Sequence, residues 1–550
     1  MTGNASAQLG HPAAHRMSRT VRLGTDTLHP ADVARAARGG PSLRVEMGAE
    51  AAARIDGSVA LRDRLIASGV PIYGVTTGFG DSNTGQITPA RAAALQRNLV
   101  VYHLNGSGPE SAPEVVRATM LIRANCLARG YSGIRREVIQ LLLDCLAADI
   151  LPVIPERGSV GASGDLVPLC YLANLLVGGG EVDAGGVRMT AAEALAGHGL
   201  QPAVLGPKEA LALINGTSFM SAFAILALHD ATEIAFAADV CTALAAEALH
   251  GNRGHFDALI HAQKPYPGQV ASAARIRGLL TGSGLTRSHT QVLRDNRALG
   301  GQPYQRLEHP IQDRYSIRCA PHVTGVLHDT VEWVDRWVSI ECNSTNDNPL
   351  FDVDTQAVYN GGNFYGGHVG QSMDALKVAV ASVGDLLDRQ LALVVDEKFN
   401  NGLPANLTSR LDPDDPEIGL HHGFKGMQIA CSALAAEALK ASAPATVFSR
   451  STEAHNQDKV SMGTIAARDA RTVVELVETV AAIHLAALCQ AADLRGADRL
   501  GVGTRAAYQA VRARVPFLDG DRRMDADVAS LTDLIRSGAL RDAVIGSASN

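Results

Sequence analysis

The chain has 550 residues, a formal charge of −7 and a composition in which hydrophobic residues make up 46% and aromatic ones only 4%. That length exceeds what a single hydrophobic core fills, so a large or multi-part subunit is expected, and the wealth of Ala and Leu over β-branched and aromatic residues leans it towards helix. No basic stripe or polylysine run is present, which excludes the electrostatic footprint of a nucleic-acid binder.

Met1 to about Arg22 is rich in polar and small residues and lacks a continuous apolar run. It reads as a loose tail (1–22) rather than a secretory signal, and the chain is expected to be cytoplasmic. From about Ala31 to Ile150, short polar turns alternate with helical patterns such as Glu137 to Leu143. Two glycine-rich interruptions stand out, Tyr73-Gly-Val-Thr-Thr-Gly-Phe-Gly80 and Gly158-Ser-Val-Gly-Ala-Ser-Gly-Asp165. Such clusters permit positive φ and close backbone approach. Glu181 to Thr190, with Gly185-Gly186 at its centre, predicts a hairpin.

Lys208 to His250 predicts one very long helical stretch. Its segment Ala210 to Leu228 carries no charge, yet it contains Asn215, Gly216, Thr217, Ser218 and Ser221 and runs into His229 and Asp230. A buried helix is therefore expected, not a membrane span. Phe364 to Lys398, Gly426 to Ala441 and Thr464 to Leu494 predict three more long helices. Several exceed the usual ~11–12 residues, which suggests a helical bundle. Loops are expected at Asn343 to Pro349, Asn360 to Gly367 and Asn400 to Asn406. The organisation expected is a tail (1–22), an N-terminal region with both glycine-rich loops (23–207), and a helical bundle with the C-terminal region (208–550). The eight scattered cysteines form no CxxC and no Cys/His spacing suited to zinc, so they read as buried reduced thiols and no metal is expected.

Ala162-Ser163-Gly164 is where chemistry is concentrated. A glycine amide nitrogen is the least hindered backbone nitrogen for attack on a carbonyl two residues earlier, and a serine between them can then lose its hydroxyl as water. The product is a five-membered ring with an exocyclic methylidene, an electrophile that no ordinary side chain supplies. The loop must be tight, and the neighbouring glycines permit the strain. By itself Ser163-Gly-Asp would also serve as a helix N-cap. The loop has neither dinucleotide-binding spacing nor a GxSxG elbow.

Gly161-Ala-Ser-Gly-Asp-Leu166 with Pro168-Leu169 resembles the signature of the histidine and aromatic amino acid ammonia-lyase family. Tyr73 to Gly80 resembles that family's tyrosine loop. Leu213-Ile-Asn-Gly-Thr217, Gln312-Asp-Arg-Tyr-Ser-Ile-Arg318, Asn343-Ser-Thr-Asn-Asp-Asn-Pro349, Gly361-Gly-Asn-Phe364 and His455-Asn-Gln-Asp458 match in family order, covering about residues 70 to 465. The resemblance implies a mainly α, fumarase/aspartase-like bundle of long helices with an N-terminal region that bears the prosthetic group. That group is 4-methylidene-imidazol-5-one (MIO), made autocatalytically from Ala162, Ser163 and Gly164. It also implies a homotetramer with sites shared between subunits and a small amino acid substrate, with no metal, nucleic-acid or membrane partner.

The family reaction removes ammonia from an α-amino acid to leave a trans-α,β-unsaturated acid, with the electrophile improving the amine as a leaving group. By resemblance Tyr73 is the β-proton base. A tyrosine titrates near ~10 and needs donors or positive charge nearby to act at neutral pH. Arg318 is expected to clamp the substrate carboxylate, since a guanidinium fork suits it bidentately. Tyr315, three residues earlier, would share its helical face and is implied to steady the prosthetic group when it is electron-rich. Asn215 resembles the asparagine beside MIO and carboxylate, Gln312 a nearby polar contact, and Phe364 the residue packed against MIO. Asp165 is expected to orient the loop, and His455 is a further candidate for which a satisfied core histidine is an equally good reading.

Glu453 and Gln457, four apart, are expected on one helical turn near the substrate amine. Histidine-specific members carry a glutamate where this chain has Gln457, which argues against histidine as substrate. Tyr102-His103 occupies what resembles the selectivity switch and fits none of the usual pairs. A buried imidazole would suit a phenolic hydroxyl, so tyrosine is favoured over phenylalanine. An aromatic amino acid 2,3-aminomutase, a histidine ammonia-lyase and a non-catalytic helical scaffold remain the alternatives.

Overall fold

The structure is a computed structural model that describes residues 19–39, 43–296, 298–307, 310–409, 412 and 414–548. The helical bias of the composition is realised: the described chain is mostly helix, and its strands are short and form only small sheets. By packing it divides into two units. One comprises Met1–Arg157, Val167–Ile214 and Cys342–Gly361; the other comprises Gly158–Leu166, Asn215–Glu341 and Gly362–Asn550. The loop 158–166, which the sequence reading assigns to the N-terminal region, thus packs with the second unit. Of the expected tail, residues 1–18 lie outside the described residues, whereas 19–22 begin a strand.

In the first unit that strand, Arg19–Leu23, pairs in parallel with Leu43–Met47. Helix Pro113–Ala128 is buried almost all round, and Arg136–Ala147 buries its Val138, Ile139, Leu142 and Cys145 face, as its apolar spacing predicts. The expected hairpin forms between Glu181–Ala184 and Val187–Thr190, and Ile150–Pro152 joins it as a third antiparallel strand. The loop 343–349 acts as an internal tie in this unit. Asn343 Oδ1 accepts from Leu28 N–H at 2.9 Å, and Asp347 pairs with Lys208 at 2.8 Å with both side chains wholly buried. Such a pair costs desolvation, and losing either partner would strand the other.

In the second unit three long helices, Ser218–Ala248, Gly367–Val395 and Gly463–Arg495, pack on one another, and Lys425–Ala441 packs against the latter two. The first and third are long and apolar enough to cross a membrane, but most of each is buried as protein core. Helices Val502–Arg512, Asp525–Arg536 and Ala539–Ala548 complete the unit. Arg536 there reaches the Glu478 carboxylate, which has no exposed surface.

Two expectations are corrected. The stretch Lys208 to His250 is not one helix: it breaks at residues 215–217 between Glu209–Ile214 and Ser218–Ala248. The break falls on Asn215-Gly216-Thr217, residues that disfavour helix, and the backbone there hydrogen-bonds the glycine-rich loop instead. Nor do Glu453 and Gln457 share a helical turn, because 452–457 is a tight hairpin, as described below. All eight cysteines are free, seven of them buried and Cys319 partly so.

Candidate active site

Ala162-Ser163-Gly164 lies between two backbone anchors. On one side Gly216 N–H donates to Ser163 O at 3.2 Å and Asp165 N–H to Gly216 O at 2.7 Å. Asn215 adds its side chain, with Nδ2 donating to Ser163 O at 2.8 Å. On the other side Met462 N–H donates to Val160 O at 3.0 Å and Ser461 Oγ to Gly161 O at 3.2 Å. Gly164 (φ 73°) and Gly161 (φ 71°) both take the left-handed conformation, and a Cβ on either would collide, with the Gly216 carbonyl and the Ser461 hydroxyl respectively. Only glycine fits these positions.

The two atoms that ring closure must join are the Gly164 nitrogen and the Ala162 carbonyl carbon. Among the described residues neither the Gly164 N–H nor the Ala162 carbonyl oxygen carries a hydrogen bond. Every other polar backbone group around them that is mentioned above is engaged, so the segment fits the prosthetic group that the sequence implies.

Asp165 holds this arrangement from beneath. Its wholly buried carboxylate accepts from Met220 N–H at 2.8 Å, from Ser159 Oγ at 3.2 Å and from Thr464 Oγ1. Met220 stands in the first turn of Ser218–Ala248, whose N-cap residue Thr217 makes no side-chain cap bond. Asp165 therefore supplies that helix start with an acceptor and a favourable charge. Burial nevertheless pushes its carboxyl up to about 6, against the opposing pull of these donors.

Gln457 reaches the same loop, its Nε2 donating to Ser163 Oγ at 3.2 Å while its Oε1 accepts from Thr452 Oγ1 at 2.8 Å. Backbone bonds in both directions between Thr452 and Gln457 close the hairpin, and Glu453, Ala454 and His455 all have positive φ, of 51°, 50° and 64°. Side-chain spacing in sequence could not show this, since a four-residue separation fits a helix or a tight turn. Glu453 is exposed. His455 is exposed too, with Nδ1 bonded to Ser451 Oγ at 2.7 Å, so it is not a core histidine. Phe364 is half-buried in the loop before Gly367–Val395.

Gln312, Tyr315 and Arg318 line a cleft of about 1060 Å³ in this unit. The short helix Tyr315–Arg318 places the Arg318 guanidinium 4.5 Å from the Tyr315 ring centroid, as their spacing predicts. Arg318 Nε donates to Asp313 O at 3.1 Å, and among the described residues the guanidinium pairs with no carboxylate, which leaves its outer nitrogens for a ligand. Tyr315 is 71% exposed.

In the first unit, Tyr73 sits in a loop fastened by its neighbours. Ile72 and Val75 are buried with Leu61 and Phe351, each such side chain worth ~1.5–3 kcal/mol. The wholly buried Gln96 donates to Gly74 O at 2.8 Å and accepts from Leu211 N–H at 3.1 Å. Gly80 N–H donates to the Tyr73 phenolic oxygen at 2.9 Å. His103 follows helix Ala92–Tyr102, its ring 4.3 Å from that of Tyr102. His103 Nδ1 lies 2.9 Å from Leu99 O. A carbonyl only accepts, so Nδ1 holds the proton and Nε2 is left as a bare acceptor. Burial pulls the imidazole below its ordinary pKa, which keeps it neutral.

The structure thus gathers Ser163, Asn215 and Gln457 in one cluster and Gln312, Tyr315 and Arg318 in another, with Tyr73, Tyr102 and His103 in the first unit. Sequence reasoning missed Ser159, Thr464 and Gln96, and Gln96 stands beside Arg97 and Asn98, so nothing local marks it as the buried one. No cluster of metal-binding side chains occurs among the described residues.

The profile of the family described as aromatic amino acid lyase matches residues 28–513. The chain belongs to that family. It is therefore a carbon–nitrogen lyase. It is 40% identical over 513 residues to a histidine ammonia-lyase of Gloeobacter violaceus, covering 93% of this chain and 95% of the relative. It is 41% identical over 489 residues to a tyrosine ammonia-lyase of Cupriavidus metallidurans, covering 88% and 90%. Among solved structures, tyrosine aminomutase from Streptomyces globisporus superposes with a TM-score of 0.89 at 37% identity, over 96% of this lyase and 99% of that chain.

Proposed function

We propose that this lyase deaminates an aromatic L-α-amino acid, with L-tyrosine favoured, to the trans-cinnamate-type acid and ammonia, using an MIO group formed from Ala162, Ser163 and Gly164. The observation that carries the reading is the loop itself, in which, among the described residues, the Gly164 amide and the Ala162 carbonyl carry no hydrogen bond while Asn215 and Gly216 hold the Ser163 carbonyl and Ser461 holds that of Gly161. When formed, the group supplies an electrophile that makes the amine a better leaving group.

The residues divide the remaining work. Arg318 binds the carboxylate through its free nitrogens, Gln312 adds a polar contact, and Tyr315 lies against the guanidinium. Tyr73, whose phenolic oxygen is held by Gly80 N–H, takes the β-proton. The C–H electron pair becomes the Cα=Cβ bond as the C–N bond breaks. Asn215 and Gln457 hold the Ser163 segment, Glu453 faces the amine, and Phe364 packs against the ring. The His103 Nε2 acceptor favours a substrate with a phenolic O–H over one with a bare ring.

Histidine is the second reading. Several relatives bear the name histidine ammonia-lyase, and Nε2 of His103 would accept an imidazole N–H equally well. Gln457 in place of glutamate weighs against it. Retention of the unsaturated acid and re-addition of ammonia would make the enzyme a 2,3-aminomutase. The cytoplasmic homotetramer with shared sites belongs to the same proposal: Tyr315, Val447 and Phe448 are 71%, 69% and 58% exposed, apolar surface that a second copy would cover.

The test is incubation of purified enzyme with L-tyrosine, L-phenylalanine and L-histidine in parallel, with ultraviolet detection, chromatography of amino acid products, and Ser163→Ala as control. An acrylate from tyrosine that is absent in the control is expected. Urocanate-type product alone would replace tyrosine with histidine, and a β-amino acid would replace lyase with mutase.

A further inference from the structure

One fully buried glutamine ties the three long helices to the turn that presents Arg318. Gln390, on Gly367–Val395, donates from Nε2 to Thr242 Oγ1 on Ser218–Ala248 and to Ser316 O in the turn, both at 2.9 Å. Its Oε1 accepts from His484 Nε2 on Gly463–Arg495 at 3.2 Å. The orientation of the amide is settled by chemistry, because the Ser316 carbonyl can only accept and must face the NH2 group. It follows that His484 donates through Nε2, and its Nδ1 is buried without a partner. Burial pushes that imidazole down to about 3, consistent with a neutral ring in this tautomer. Three hydrogen bonds of the amide are therefore made by a side chain with no exposed surface.

We infer that Gln390 is a positioning residue for substrate carboxylate binding: it fixes the height and rotation of the Tyr315–Arg318 turn on the bundle through the Ser316 carbonyl. The turn is only four residues long and cannot define its own orientation. Arg318 and Tyr315 project from it into the cleft, with Ile317 buried beneath. A fork must meet both carboxylate oxygens, so a small rotation of the turn breaks one of two parallel bonds. Removing the Ser316 contact should thus weaken ligands that have a carboxylate and spare those that lack one.

This inference rests on the carboxylate role proposed for Arg318, and the experiment separates the two. In the full-length enzyme, competitive inhibition constants are measured for trans-4-hydroxycinnamate, which has a carboxylate, and for tyramine, which has none. The variants are Gln390→Met, of similar volume with no donors, Gln390→Glu, Thr242→Val and Arg318→Ala. Thr242→Val removes a bond from the same layer without touching the turn, and so reports simple core damage.

Both Gln390 variants are expected to weaken the carboxylate ligand about tenfold, the scale of one charge-assisted hydrogen bond losing alignment, while tyramine stays within about twofold. Thr242→Val should lower the melting temperature and leave the ratio of the two constants at the wild-type value. A wild-type ratio in the Gln390 variants, with the ratio collapsed in Arg318→Ala, overturns the positioning role and leaves the Arg318 reading intact. An unchanged ratio in Arg318→Ala itself overturns both. If Gln390→Met does not fold, Gln390→Glu, which keeps the size and polarity, gives the same readout.

Discussion

Asp165→Asn should make the protein more stable at neutral pH, despite removing a residue with three hydrogen-bond partners. The Asp165 carboxyl is held up at about 6 by burial, from an ordinary value of 3.8. The folded protein therefore binds this proton more tightly than the unfolded chain does. Stability contributed by the neutral acid is present below about pH 4, falls as pH rises through about 6, and is level above that. About two pH units correspond to a cost of roughly 3 kcal/mol at pH 7, an upper bound on what ionisation takes from the fold. Asparagine reproduces the neutral acid. Its Oδ1 can accept from Met220 N–H, and its NH2 can face the Ser159 and Thr464 hydroxyls, which turn to accept. Wild type and Asp165→Asn should melt together near pH 4 and diverge towards pH 7.5, with the variant higher. Intact-mass spectrometry would follow the loop, since ring closure at Ala162-Ser163-Gly164 removes two waters from the chain. Asp165→Asn should keep that mass deficit, whereas Asp165→Ala, which strands Met220 N–H at a cost of about 1–3 kcal/mol, should reach it slowly or incompletely. Parallel melting curves for wild type and Asp165→Asn between pH 4 and 8 would refute the reasoning.

Four further outcomes are expected. Tyr73→Phe should reduce kcat by about 10²–10⁴-fold and leave both the mass deficit and the melting temperature near wild type, as read by steady-state kinetics and mass spectrometry. His103→Phe should shift preference from tyrosine towards phenylalanine. In the wild type, KM for tyrosine should rise at acidic pH more than KM for phenylalanine, because a protonated His103 cannot accept from the phenol. Arg536→Ala should leave the wholly buried Glu478 without its partner and cost about 3–5 kcal/mol, seen as a lower denaturant midpoint. No shift there would mean that the carboxylate is satisfied by Arg471 or by water instead.

Long-period features were legible in the sequence. Three of the four expected bundle helices lie within a few residues of where apolar spacing put them, the first starting ten residues later at Ser218, and the Gly185-Gly186 hairpin is where its turn residues put it, because helices and hairpins follow local rules. The motif blocks likewise singled out Ser163, Asn215 and Gln457, which the structure brings together. What failed was local shape imposed from a distance. Residues 215–217 are Asn-Gly-Thr, poor helix formers whose break signal was outweighed by the apolar runs on either side, and the bonds they make to the loop across from them show what the break is for. Glu453 to His455 adopt left-handed backbone that non-glycine residues avoid, so no propensity argument could have found the hairpin. Gln390, Gln96 and Thr464 matter through partners far along the chain, and periodicity is blind to those.

The three-helix core has a consequence for how the protein must be made. The first long helix ends at Ala248 and the third begins at Gly463, so about 215 residues separate two surfaces that cover each other, roughly 10 to 40 s of synthesis at ordinary ribosome speed. Throughout that interval Phe219 to Leu228, a nearly uncharged apolar run, has been translated without the helix that buries it. For that interval the nascent chain therefore carries the apolar face of its first long helix before the partner helix that covers it has been made.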